Sequence, residues 1–202
     1  WRLDNVANAR RLRDFIREKR VYVQSEYKKH FNIANADVKF DIVAHSMGGL
    51  VARYFAMFGG DDLPADGSTP KPTWEGAKYV DRTIMVGTPN GGSLDALRAL
   101  VEGRDFGAPI IPSYRWSLLG SFPSIYQLLP RARFNSVVSS DTSKPIDIMD
   151  PETWHRLGWG LAAPNVESDL ALLMPEIADP AERRRIALDF QSRALASAKQ
   201  FM

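Results

Sequence analysis

The chain of 202 residues is 45% hydrophobic and 25% charged, with 26 basic and 24 acidic residues and a formal net charge of +2. This composition is typical of a globular protein; it excludes a disordered chain, and the small net charge gives no argument for a nucleic acid partner. No run approaches the roughly 18 apolar residues of a transmembrane helix. The absence of cysteine excludes disulfides and thiolate ligands but leaves the cellular compartment open.

The first part of the chain predicts alternating helices and strands. Residues 4–20 carry apolar side chains at helical spacing with basic side chains on the other face, and residues 21–31 continue this helix. The β-branched run at 38–44 predicts a buried strand, 47–58 a helix, and 78–86 a second strand. Strand, helix and strand in this order imply a right-handed parallel crossover.

The rest of the chain differs in composition. A short helix is predicted at 94–102, followed by an apolar and nearly uncharged segment at 106–130. Residues 131–165 are expected to be mostly irregular, and two further helices are predicted at 166–174 and 180–202.

These patterns divide the chain into two parts. Residues 1–98 form an α/β segment, and residues 99–202 form a mostly helical segment. The fold class predicted from the residues alone is therefore α/β with a helical appendage.

Residues 44–49, Ala-His-Ser-Met-Gly-Gly, lie where the first strand ends and the helix begins. The small–x–Ser–x–Gly spacing is that of a nucleophile elbow, a sharp turn that projects a serine hydroxyl above the edge of a sheet. Large side chains at 44 and 48 would collide with neighbouring backbone, so Ala44 and Gly48 fit the pattern. Because the first N–H groups of a helix are unpaired and its dipole favours negative charge, Met47 N–H is a candidate oxyanion donor beside the nucleophile Ser46.

Three segments, AHSMGGLVARYF, VGTPNGGS and SFPSIYQLLPR, together resemble α/β-hydrolases of the lipase and lecithin–cholesterol acyltransferase-like group. The resemblance implies a partial α/β-hydrolase fold, a parallel sheet with flanking helices, in residues 1–98, and a mostly helical cap in residues 99–202. It also implies a Ser–His–Asp mechanism on acyl esters, with a lipid as the expected substrate. Many members of the group have histidine where this chain has Asn90.

Three histidines are candidates for the base that a serine nucleophile requires. In this fold the order along the chain is Ser, acid, His, which leaves His155 and disfavours His30 and His45. His155 lies in a tryptophan- and glycine-rich segment that resembles the cap rather than the end of a core strand. We therefore expect the acid and the histidine outside residues 1–202, and this chain to be an internal fragment that is inactive by itself.

The apolar segment 106–130 has two interpretations. It forms either the cap's own core or the wall of an acyl pocket over Ser46, and Trp116 and Tyr126 are the candidate substrate-binding residues. An apolar cap surface would also allow contact with a lipid surface.

Two other functions stay open at this stage. The chain could be a catalytically inactive hydrolase-like binding module, although an intact elbow argues against that, or a hydrolase of amide, thioester or polyester substrates. The basic residues of the first helix alternate with Asp14 and Glu18 and indicate a solvated helix face rather than a nucleic acid site. The sequence predicts no metal and no cofactor, and it indicates neither a compartment nor an oligomeric state.

Overall fold

The computed structural model describes residues 2–105, 113–141 and 143–201 of the chain. These residues form two compact units, Leu3–Asn90 and Gly91–Met202, with Arg2 assigned to the second. The boundary follows Asn90, so the helix predicted at 94–102 lies in the second unit.

The first unit contains two helices and two strands. In chain order its elements are α1 (Asn5–Phe31), β1 (Phe40–His45), α2 (Met47–Phe58), a 3-10 turn (Gly76–Tyr79) and β2 (Val80–Val86). The carboxylate of Asp4 begins α1 by accepting a hydrogen bond from Val6 N–H at 2.7 Å. Asn32 ends α1 in the left-handed conformation at φ 57°. The continuation of this helix through residues 21–31 is thus confirmed.

β1 and β2 pair in parallel, as the strand–helix–strand order predicted. Ala44 lies opposite Met85, and His45 lies opposite Val86. These two strands make up the sheet within the described ranges. Because successive strand residues point to opposite faces, the strands place their side chains in alternating environments.

The burial predicted for the first strand is correct on one face only. Ala44 is 8% exposed, whereas Val43, its neighbour on the opposite face, is 71% exposed. Ile84 on β2 is 51% exposed. A parallel strand is buried on both sides only when helices cover both faces, and in this unit α2 packs against β1 and β2 and shields the side that includes Ala44.

The second unit is mostly helical. Its helices are α3 (Leu94–Glu102), α4 (Trp116–Gly120), α5 (Pro123–Tyr126), α6 (Pro151–Leu157), α7 (Glu167–Leu173) and α8 (Pro180–Phe201), with short 3-10 turns at Ala132–Phe134 and Gly160–Ala162. Helix α6 lies where the sequence predicted mostly irregular structure. Its start has two ordinary signals, Pro151 in the first turn and the Asp150 carboxylate, which accepts a hydrogen bond from Glu152 N–H at 3.1 Å.

The core of the second unit is centred on Trp154, which is fully buried. Its indole N–H donates to the carbonyl of Ile148 at 2.7 Å, and its ring lies 5.9 Å from the ring of Tyr126. The cluster around it includes Leu100, Leu129 and Leu195, so helices α3 and α8 share one core. Among the residues that the structure describes, no helix has both the length and the hydropathy needed to cross a bilayer.

Candidate active site

Ser46 lies in the turn between β1 and α2, with φ 52° and ψ −128°. Side chains at positive φ are uncommon, and this ψ lies far from the left-handed helical region that accommodates most of them. A conformation of this kind costs on the order of 1–3 kcal/mol and persists only where surrounding structure holds it. The predicted position of Ser46 in a sharp turn between a strand and a helix is confirmed.

Hydrogen bonds on both sides of the turn hold Ser46 in place. Its backbone N–H donates to the carbonyl of Val86 on β2 at 2.9 Å, which extends the sheet pairing by one residue. Its carbonyl accepts from Gly49 N–H in the first turn of α2 at 3.1 Å. The side chain, by contrast, does not cap α2 and is half-buried. The backbone is therefore fixed while the hydroxyl is left for other chemistry.

Met47, the predicted oxyanion donor, is the first residue of α2. An N–H at this position has no acceptor within its own helix, and it lies at the positive end of the helix dipole. Met47 directly follows Ser46, which is the placement that the predicted oxyanion donor requires. Its role as an oxyanion donor stays a prediction.

The tightest steric contact of the elbow is at Gly49, a position that the small–x–Ser–x–Gly pattern did not single out. A Cβ atom at Gly48 would meet only the Cβ of Ala44, at 3.9 Å, which is an ordinary contact. A Cβ atom at Gly49 would lie 2.7 Å from Cγ2 and 2.8 Å from Cβ of Thr88. Only glycine fits at position 49 without movement of the neighbouring loop.

The loop after β2 lies beside the elbow, because Thr88 packs against Gly49. The Thr88 hydroxyl oxygen is buried and has no hydrogen-bond partner among the described residues. Packing alone therefore holds the Thr88 side chain. Asn90 Oδ1 accepts from Arg53 Nη1 on α2 at 2.8 Å. Many members of the group that this chain resembles have histidine at this position. This chain has an amide there instead, and the amide links the loop to α2.

Tyr54 fixes the other end of α2. Its hydroxyl donates to the carbonyl of Asp61 at 2.9 Å, and its ring lies 4.7 Å from that of Phe58. Burial, followed by the negative charges of Asp4, Asp62 and Asp61, raises the pKa of Tyr54 to about 12. The phenol therefore stays neutral and anchors the helix that carries the elbow.

The two predicted substrate-binding residues, Trp116 and Tyr126, differ in accessibility within the second unit. Tyr126 is fully buried, its hydroxyl donates to Gly120 O at 2.9 Å, and burial raises its pKa. Trp116 is half-buried against the cluster of Leu161, Val166 and Leu170, and it also lines a cavity of about 600 Å³. Most of the described residues that line this cavity are charged or polar.

Part of the predicted apolar segment lies outside the described residues, namely Phe106, Ile110 and Ile111. Tyr126 and Leu129, which are described, belong to the core of the second unit. The segment therefore serves at least in part as structural core, one of its two interpretations.

The histidines lie on three different elements. His30 is at the end of α1, where its Nε2 lies 3.1 Å from Glu26 Oε2. His45 is exposed as the last residue of β1. His155 is exposed on α6 rather than at the end of a strand. The position of His155 differs from that of a triad histidine, which follows a core strand in α/β-hydrolases.

Comparison with known proteins gives a family and a fold. The family model for lecithin:cholesterol acyltransferase matches residues 1–156. A chain in the crystal structure of the Tle4–Tli4 complex is similar to this one, with a TM-score of 0.61 and 16% sequence identity. The match covers 100% of this chain and 41% of that chain, so this chain spans less than half of the length of that one. No curated protein matches the sequence.

Proposed function

The chain belongs to the lecithin:cholesterol acyltransferase family, and from this premise we propose that it supplies the nucleophile, Ser46, of a serine acyl-ester hydrolase or acyltransferase. The observation that carries the proposal is the backbone of Ser46 at φ 52° between β1 and α2. Strain of this kind is retained at functional sites because it positions a reactive group. A strained serine at a strand-to-helix turn is the geometry that presents a nucleophile in α/β-hydrolases.

The proposed reaction has two stages. Ser46 Oγ forms a bond to the acyl carbon while its proton passes to a histidine base, and the carbonyl oxygen becomes an oxyanion. Met47 N–H donates to that oxyanion, helped by the dipole of α2. The C–O bond to the leaving alcohol then breaks, the alcohol takes the proton, and water or a second alcohol later releases the acyl group from Ser46.

The proposal places the acid and the histidine of the triad outside residues 1–202. The position of His155 on a short helix supports this, since a triad histidine follows a core strand in the α/β-hydrolase fold. We also interpret Leu3–Asn90 as a segment of that fold and the helical unit as its cap. On this interpretation the 202-residue chain alone has no base to activate Ser46, and we expect it to show no ester turnover.

The substrate we propose is an acyl ester of a lipid, as the name of the family suggests. Of the two aromatic residues predicted to contact the acyl chain, Trp116 is the better candidate because its side chain is only half-buried. Tyr126 would first have to give up its packing against Trp154, which makes direct contact with substrate costly.

A fluorophosphonate probe tests the proposal directly, because it forms a covalent bond only with an activated serine. The intact enzyme is treated with the probe, digested, and analysed by mass spectrometry. We expect the label on the peptide that contains Ser46, no label on this peptide in the Ser46→Ala variant, and full labelling in the matched variant Ser25→Ala, which changes an exposed serine on α1. A folded protein that stays unlabelled at Ser46 would contradict the proposal and favour an inactive binding module.

A further inference from the structure

Three basic side chains in the second unit line one cavity. Arg131 and Arg133 flank Ala132 at the 3-10 turn, and Lys199 lies in the last turn of α8. Together with Asp147 and Met149 these residues line a cavity of about 360 Å³. Residues far apart in the chain therefore bring three positive charges and one negative charge to one concave surface.

None of the three basic side chains has an acidic partner within 4 Å among the described residues. Several other basic side chains of the same unit form ion pairs: Arg98 with Glu102, Arg115 with Asp169, and Arg183 with Glu167. Arg133 is held over the ring of Phe134 at 4.8 Å, a contact that leaves the edge of its guanidinium available for hydrogen bonds. The cavity therefore presents three basic side chains that no salt bridge among the described residues engages.

The charges in the cavity act on one another. Burial and the positive charge of Arg133 lower the pKa of Arg131. The surrounding groups therefore do not fully stabilise the charged form of Arg131. The carboxylate of Asp147 accepts a hydrogen bond from Met149 N–H at 2.9 Å, so it is already engaged by backbone. An anion between the arginines would relieve their repulsion, and the buried side chain of Met149 would limit competition from water.

We propose that Arg131, Arg133 and Lys199 form a binding site for a phosphate group. Guanidinium groups match phosphate oxygens in paired hydrogen bonds, and lysine adds a point charge. The net charge of +2 among the lining side chains, three positive and one negative, suits a phosphate dianion or an exposed phosphodiester. The phosphate could come from a lipid headgroup or be free in solution, and the site does not depend on Ser46.

Calorimetric titration of the 202-residue chain with inorganic phosphate, at constant ionic strength, tests the site. We expect saturable binding that weakens about tenfold in Arg133→Gln, which corresponds to one charge-assisted hydrogen bond. The matched control is Arg156→Gln, which removes the same charge from an exposed arginine on α6. This variant should leave binding unchanged. Asp147→Asn keeps the acceptor for Met149 N–H while removing the negative charge, so it should tighten binding several-fold.

A second arm identifies the source of the phosphate. The chain is mixed with vesicles of phosphatidylcholine, and with vesicles of phosphatidylcholine and phosphatidic acid, and bound protein is measured by flotation. Vesicle binding that is lost in Arg133→Gln identifies a lipid headgroup, whereas binding of inorganic phosphate alone identifies a soluble phosphate compound. Ser46→Ala should bind as the parent chain does.

Two results would overturn the proposal. One is the absence of saturable binding in both arms. The other is an equal loss in Arg133→Gln and Arg156→Gln, which would show a general charge effect instead of a site. If Arg133→Gln fails to fold, Asp147→Asn decides, because misfolding does not produce tighter binding.

Discussion

A Cβ atom at Gly49 would lie 2.8 Å from Cβ of Thr88 and 2.7 Å from its methyl carbon. The loop after β2 therefore packs on the first turn of α2 without any hydrogen bond from the Thr88 hydroxyl. This contact joins the two segments that the family resemblance singled out, AHSMGGLVARYF and VGTPNGGS. It makes Gly49 a requirement of packing rather than of backbone conformation.

Substitution of the two elbow glycines should have opposite effects. Gly49→Ala should lower the free energy of unfolding by about 2 kcal/mol or more, because overpacking forces Thr88 to move. Gly48→Ala should be neutral or stabilising by up to about 1 kcal/mol, since alanine favours helix and its Cβ has room. Urea denaturation of both variants measures the difference.

A double variant separates the contact from other causes. Gly49→Ala combined with Thr88→Gly should recover most of the lost stability, whereas Thr88→Ala should recover less because its Cβ remains in the way. Additive losses in the double variant would show that Gly49 is needed for another reason.

Thr88→Val should raise the free energy of unfolding by up to about 1 kcal/mol, because it replaces a buried hydroxyl without a partner by a methyl group of similar size. Denaturation by urea, with Thr83→Val on β2 as a control for β-propensity, measures the gain. A loss of stability would contradict this prediction.

At position 46, glycine should be more stable than alanine. Ser46→Gly should exceed Ser46→Ala by about 1 kcal/mol in free energy of unfolding, because glycine adopts positive φ without strain. At Ser25, within α1, the same pair should show the reverse order, since glycine is the poorer helix former. Equal values for the two position-46 variants would mean that the turn relaxes when the serine is removed.

Stability should fall at high pH through Tyr54. Its pKa rises from an ordinary value near 10 to about 12 on folding, so the folded state disfavours the tyrosinate form. The stabilisation is present below pH 10 and is lost as pH rises from 10 to 12. Urea denaturation of the parent chain and of Tyr54→Phe at pH 9 and pH 11 should show a smaller loss in the variant. Identical losses would assign the effect to other groups.

Trp116→Ala in the intact enzyme should lower kcat/KM for long-chain esters far more than for acetate esters, because lost contact area grows with chain length. Tyr126→Ala does not serve as a test, since removing a buried aromatic side chain costs about 3–5 kcal/mol of stability. Equal losses for short and long esters would show that Trp116 is structural only.

The elements around Ser46 could be predicted from the sequence because their signals are local. The sequence has a β-branched run, then a small–x–Ser–x–Gly turn, then a helical run. These signals predict β1, the turn at Ser46, and α2. The need for glycine at position 49 could not be predicted from this pattern, because it comes from Thr88 on a later loop.

Tertiary packing determines the features that the sequence predicted wrongly or left open. Helix α6 was missed although Asp150 and Pro151 are good starting signals, because the surrounding residues indicated loop. Whether the apolar segment is core or pocket wall depends on what covers it, and the full burial of Tyr126 is set by Trp154 from another helix. The exposure of Val43 likewise depends on which face of the sheet a helix covers.

The hydrogen bond from Ser46 N–H to Val86 O has a consequence for amide hydrogen exchange. Within a parallel pair, alternate residues of a strand direct their N–H groups toward the partner, so Ile42 and Ala44 share the orientation of Ser46. In the 202-residue chain their amides should exchange slowly, while those of Val43 and His45, which point away from β2, should exchange quickly. The amide of the half-exposed Ser46 should then be as protected as that of the buried Ala44, which identifies the turn as a rigid extension of the strand.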